Sequence, residues 1–393
     1  MIELLKNQNE IFTRWRQDIH QHPELGFEEQ RTAALVAAKL REWGLDEVHT
    51  GIAKTGVVGV LKGCTPSARA IGLRADMDAL PMQEMNHFGH ASQHPGKMHG
   101  CGHDGHTTML LAAAWYLSQH RDFSGTVHFI FQPAEEGQAG ADAMIKDGLF
   151  ERFPCDRVYG MHNMPGIPAG HIWLREGPMM ASSDRFVIDI RGKGGHAAMP
   201  QFSVDPTLAL SNIILSAQSI VGRNISPLDA AVVSFTDVHA GSGTHNVIPD
   251  TASLKGCIRA FDDSVRQLAV EKLGHIVQTA AAVYGAEATF TILPGSYPAT
   301  VNHAQPTQLA ADVAKALVGE ENVDDHCVPL SGSEDFSFML QKVPGCYLFL
   351  GNGEEGQKGG VCVHNPGYDF NDAIIPTGAS LFVELVKREL TAA

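Results

Sequence analysis

No stretch of this chain is long and apolar enough to span a membrane. Its first residues, Met1–Trp15, scatter acids and amides where a secretory signal carries an unbroken apolar run, so neither membrane insertion nor export is expected. Basic residues are also short: 29 Lys and Arg stand against 44 Asp and Glu, a formal net charge of −15. Binding a nucleic-acid backbone needs a concentrated basic surface, so no nucleic-acid partner is expected, and an anionic small molecule would need a local Arg or Lys. Cysteines are few and scattered. Cys64, Cys101, Cys155, Cys257, Cys327, Cys346 and Cys362 form an odd set in a large chain, which points to reduced thiols in a cytoplasmic protein and away from a disulfide framework. Tandem repeats and low-complexity segments are lacking as well.

What is present is enough apolar sequence for two cores. A chain of 393 residues with 44% hydrophobic and 19% charged residues is too long for one ordinary core. Residues 1–44 read as two amphipathic helices around a turn at HPELG. VVGVLKG, AIGLRA, GTVHFIFQ and DRVYGMHN read as buried strands, with helices at TTMLLAAAWYLSQ and AGADAMIKDG between them. Strands alternating with helices predict an α/β domain with a mostly parallel sheet covered on both faces. Near Ser182 the pattern changes to the order βαββαβ, a ferredoxin-like α+β unit. The expected domains are therefore a discontinuous one over 1–183 and 296–393 and an inserted one over 184–295.

In open α/β sheets ligands gather at the carboxyl ends of the strands. AIGLRA is followed by Asp76 and Asp78, VHFIFQ by Glu135 and Glu136, and RVYGM by His162, while the loop before the first long helix carries His99, Cys101, His103, Asp104 and His106. Cys, His and paired carboxylates arriving on one edge are the ligand types of a first-row transition metal. Imidazole suits Zn, Mn, Co or Ni, and a thiolate excludes a purely hard Mg or Ca site. Gly102 lets Cys101 and His103 converge from one turn. Adjacent carboxylates buried together repel unless a cation lies beside them, which suits Glu135 and Glu136 after so apolar a strand. A tight polar loop capping the helix, and a solvated acidic turn, are the alternatives for these two segments.

The motifs HQHPELGFEE, GLRADMDALPM, MHGCGHDGHT, FQPAEEG, GMHNMP, GKGGHAAMP, HNVIPD, SGSEDF and HNPGYDFND occur in order from residue 19 to residue 372. With them the chain resembles the M20 metallopeptidase clan, in its amidohydrolase branch of hippurate hydrolases, N-acyl-amino-acid amidohydrolases and plant auxin-conjugate hydrolases. The resemblance implies a zinc-peptidase-like catalytic domain with an inserted lid that dimerises, and a homodimer or homotetramer. It implies that Cys101, His103, Glu136, His162 and His364 bind two divalent metal ions per subunit, Zn, Mn, Co or Ni. It makes Glu135 the general base and Asp78 a carboxylate behind the ligands. Asp76 stands where other branches place a ligand histidine and is expected not to touch metal. His196 is implied to stabilise the oxyanion, with Asn246 and Arg259 reaching toward the substrate, in some relatives from the neighbouring subunit. The implied activity is hydrolysis of N-acyl amino acids. A dipeptidase or an N-acetyl-diaminopimelate deacetylase would share the metal chemistry, and a non-catalytic metal-binding or thiol-based redox-sensing protein is the reading outside catalysis. Met179, Met180 and Met199 are candidates for an adaptable acyl pocket.

Overall fold

The computed structural model describes residues 1–391, which divide into two units. After a short helical turn, Ile2–Asn7, the first unit runs through α1 (Asn9–Gln21), α2 (Gln30–Glu42), β1 (Glu47–Ile52), β2 (Gly56–Lys62), β3 (Thr65–Asp76), α3 (His103–Gln119), β4 (Ser124–Gln132), β5 (Arg157–Pro165) and β6 (Ile172–Trp173). The second unit holds β7 (Asp184–Arg191), α4 (Pro206–Ser219), β8 (Ala231–Ala240), β9 (Thr251–Ala260), α5 (Asp263–Val283) and β10 (Glu287–Ile292). The chain then returns to the first unit through α6 (Ala304–Val318), β11 (Val323–Asp324), β12 (Gly345–Gly353) and α7 (Ile375–Glu389).

In the first unit eight strands lie in the order β1-β2-β4-β3-β5-β12-β6-β11. The central neighbours β4, β3, β5 and β12 pair in parallel. Their residues are buried almost without a break, as in Ala70–Asp76 and Gly345–Gly353, because a parallel sheet carries helices on both faces. Helix α3 is buried nearly all round, and its Ala112–Ala114 run leaves room for close neighbours. β1, with the sequence EVHTGI, is too polar to read as a strand; it forms as an exposed edge, antiparallel to β2. β6 and β11, two residues each, are too short to show in any sequence pattern.

The second unit has the βαββαβ order, with an antiparallel sheet β8-β9-β7-β10. In β7, Phe186, Ile188 and Ile190 face α4 and α5 while Arg185, Asp189 and Arg191 face out, the period of two expected of a half-buried sheet. Both helices begin on an aspartate cap, Asp205 accepting from Thr207 N and Asp262 from Ser264 N and Val265 N. The boundaries lie at Met179/Met180 and Thr300/Val301, and the loop Pro329–Glu334 groups with the second unit. The expected borders were 183/184 and 295/296, with that loop in the first domain. At the first border and in that loop the difference has a hydrogen-bond cause: Ala181 N donates to Leu330 O (3.0 Å) and Ser182 N to Ala260 O (2.7 Å).

Candidate metal centre

Four segments of the first unit meet at the carboxyl edge of its sheet. Cys101 and His103 come from the loop entering α3, Glu135 and Glu136 from the turn after β4, His162 from β5, and His364 from the loop after β12. Their donor atoms fall into three overlapping groups: Cys101 with His103 and His162, Cys101 with Glu136 and His364, and His103 with Glu135 and Glu136, all within 4.8 Å in each group. Cys101 Sγ lies 3.3 Å from His162 Nε2, and His364 Nε2 lies 3.1 Å from Glu136 Oε1. The shared members make one continuous cluster.

The geometry behind these donors sets their tautomers. His103 Nδ1 lies 3.2 Å from Asp78 Oδ1, which leaves Nε2 as the ring nitrogen that faces the cluster. That Nε2 atom is buried and lies 3.8 Å from Asp76 Oδ2, beyond hydrogen-bond reach. Asp78 Oδ2 also accepts from Glu136 N at 2.9 Å, so one carboxylate orients two neighbours. His162 Nδ1 donates to Asn163 O at 2.5 Å, which again leaves Nε2 as the acceptor. Asp76 is spoken for: Oδ1 accepts from His106 Nδ1 (2.7 Å) and Oδ2 from Arg74 (2.7 Å). Asp104 turns away to His20 at 2.8 Å, and His99 is buried outside all three groups.

The electrostatics fit divalent cations. Among the described residues no Lys or Arg pairs with Asp78 or Glu136, so neither carboxylate has a permanent cation in the protein. Burial pushes the Cys101 thiol up, and a thiolate there needs a positive neighbour. Hydrogen bonds to Cys101 and Glu136 raise His364 to about 10, so a proton sits where a cation would compete for the same lone pair. Burial, reinforced by His106, holds His162 well below the usual imidazole range, in the neutral form that metals bind.

Two supports of the centre follow no spacing or periodicity in the sequence. Ala134 takes a left-handed backbone (φ 53°) immediately before Glu135, a conformation unfavourable for a residue with a β-carbon. It is held by Glu29, fully buried, whose Oε1 accepts Ala134 N (2.8 Å) and whose Oε2 accepts Thr55 Oγ1 (2.6 Å). His364 also has positive φ (61°), and its N–H donates to Gly100 O at 2.7 Å, tying its loop directly to the Cys101 turn.

In the second unit, His196 and Asn246 are exposed neighbours: Gly195–His196 pairs with Val247–Ile248, and Ala197 N donates to Asn246 O (3.0 Å). His196 Nδ1 accepts from Ala198 N at 3.1 Å, which puts its proton on Nε2 as a free donor. Arg259, opposite Val232 in β9, has a buried Nη1 that makes no hydrogen bond. Met179 and Met180 are buried and Met199 is exposed.

The profile of peptidase family M20/M25/M40 matches residues 72–388. The chain is 45% identical over 388 residues to a hippurate hydrolase of Campylobacter jejuni, covering 99% of this chain and 98% of that one. It is 41% identical over 372 residues to an N-acetylcysteine deacetylase of Bacillus subtilis, covering 94% of each. Its fold is similar to that of a dinuclear metal binding peptidase of the M20 family from Bacillus subtilis, with a TM-score of 0.83, 35% identity, and 99% and 100% of the two chains covered.

Proposed function

The chain belongs to peptidase family M20/M25/M40, and we propose that it hydrolyses the amide bond of N-acyl amino acids, hippurate-like or N-acetylated, releasing a carboxylic acid and an amino acid. The observation that carries this reading is the convergence of Cys101, His103, Glu136, His162 and His364, with the buried His103 Nε2 turned into the cluster. These five would hold two divalent cations, of the kind that take thiolate and imidazole together: Zn, Mn, Co or Ni. When bound, such cations acidify a water molecule and polarise a carbonyl group.

The chain's own groups do the rest. Glu135, within the group formed with His103 and Glu136, takes the proton of the attacking water and returns it to the departing nitrogen. His196, with its proton on Nε2, donates to the developing oxyanion. Arg259 offers its unsatisfied Nη1 to the free carboxylate of the amino-acid half, and Asn246 orients the same half. The test is amine release from N-benzoylglycine and from N-acetyl amino acids, before and after a chelator. A protein carrying its full complement of metal that releases amine from none of them, or one whose activity survives the chelator, would overturn the reading.

The second unit is read as a lid that also dimerises, giving a homodimer or homotetramer. Strand β8 is an edge, paired only with β9, and it exposes Val232 and Val238, while α4 exposes Leu208 and Leu215. Light scattering that finds a monomer at working concentration would remove this role. A cytoplasmic location suits the seven cysteines, all of them free.

A further inference from the structure

Asn163 follows His162, and every hydrogen-bonding atom of its amide is engaged inside the first unit. Tyr368 Oη donates to Asn163 Oδ1 at 2.7 Å, which fixes the amide orientation. Asn163 Nδ2 then donates to Cys101 O (2.7 Å) and to His106 Nε2 (3.0 Å). The backbone N–H of Asn163 adds a second donor to the same His106 nitrogen at 2.9 Å. Asn163, Tyr368 and His106 are all buried.

This arrangement has two consequences. His106 Nε2 receives two N–H groups, so its lone pair is occupied and its proton lies on Nδ1, facing Asp76. His106 stacks edge-on against His162 at 4.6 Å and stands in a group with Asp76 and His103, close enough to compete as a ligand were that lone pair open. The Cys101 carbonyl, meanwhile, is held at the turn that aims the thiol. Gly102 takes φ 90° there, and a β-carbon on it would collide with Asn163 Nδ2 and Tyr368 Oη. The turn and the amide fit one another only with glycine between the two ligands.

We propose that Asn163 is a positioning residue of the metal centre: its amide, oriented by Tyr368, holds the Cys101 turn in its ligand conformation and keeps His106 out of the ligand set. The inference rests on the reading of Cys101 and His103 as ligands. Loss of a group that orients ligands typically weakens metal binding about 10–100-fold.

The test uses the full chain, stripped of metal and titrated with Co²⁺ against a competing chelator, as wild type, Asn163→Ala, Tyr368→Phe and Cys101→Ala. Three quantities are read: the Co²⁺ dissociation constant, the near-ultraviolet thiolate-to-cobalt band that reports Cys101, and the melting temperature before metal is added. Asn163→Ala is expected to bind Co²⁺ about 10–100-fold more weakly with a diminished thiolate band, and Tyr368→Phe to move both in the same direction by a smaller factor. A purely structural asparagine would lower the melting temperature and leave both cobalt readouts at wild-type values, and that result overturns the proposal. Should Asn163→Ala fail to fold, Tyr368→Phe decides on the same two readouts, unchanged values again overturning it. Cys101→Ala separates the two levels. If it keeps the full complement and the band, the ligand reading itself fails; if it loses them while Asn163→Ala does not, only the role of Asn163 fails.

Discussion

Glu29 is an acid buried completely within the protein, and its cost should be measurable. Burial pushes it from its ordinary 4.5 to about 7, against the opposing hydrogen bond from Thr55. Between pH 4.5 and 7 the folded chain holds a proton there that the unfolded chain has released, so stability falls as pH rises across that window and stays lowered above it. Each pH unit carries about 1.36 kcal/mol, so the full effect above pH 7 is ~3 kcal/mol. Glu29→Gln keeps the shape: its amide oxygen can accept Ala134 N, and its NH₂ can donate to a rotated Thr55 hydroxyl. The variant should therefore melt up to ~6–12 °C higher than wild type at pH 8, taking the ~2–4 °C per kcal/mol of 150–250-residue domains as an upper guide, and gain little at pH 5. Calorimetric scans of the metal-free proteins at both pH values are the assay. An equal shift at the two pH values, or none at pH 8, would refute the argument. Glu29→Ala is the counterpart. It strands the buried Ala134 N–H at a cost of ~1–3 kcal/mol and should lower turnover by letting the Glu135 turn relax.

Glu135→Gln should retain its metal by elemental analysis while turnover falls by about 10²–10⁴-fold, and unchanged turnover would remove Glu135 as general base. Arg259→Ala should raise KM for N-acyl amino acids far more than for the corresponding amides; equal effects would contradict a carboxylate partner. His128 is buried and held down to about 4 from its ordinary 6.5, so stability should fall as pH drops from 6.5 to 4, where the unfolded chain binds a proton that the folded chain refuses. His128→Gln should flatten that part of the melting profile, and an unchanged slope would show that other groups set it.

The parts of the centre legible in the sequence are those where chemistry follows directly on a strand or a glycine. Cys101 and His103 stand either side of Gly102, Glu135 and Glu136 follow β4, and His162 lies on β5, so local pattern and strand-end logic bring all five to one edge. His364 follows no such rule. Its loop is tied by backbone hydrogen bonds to Gly100, 264 positions earlier in the chain, and from Met85 to Pro366, and no periodicity encodes contacts of that kind. Only the HNPGYDFND motif and the family resemblance single it out. The βαββαβ insertion is readable because its strands alternate cleanly, whereas β1 is not, because an exposed edge strand has no apolar face to announce it.

Glu29 and Asn163 show why supporting residues are harder to read than ligands. In the sequence, Glu29 is one of two acids before a helix, a setting in which a solvent-exposed charge favourable to the helix N-terminus is the ordinary interpretation. Its function appears only when β4 brings Ala134 against it with a backbone N–H that has no strand partner. Asn163 likewise passes for a polar residue at the end of a strand until the loops carrying Cys101 and Tyr368 close over it. A ligand must be Cys, His or a carboxylate, so its type narrows the search before the fold is known. A supporting residue is defined by whichever backbone group needs a partner, and that need is created by the fold. The same distinction separates the expected mutant phenotypes: loss of Cys101 should remove metal outright, whereas loss of Asn163 should leave a centre that binds metal more weakly.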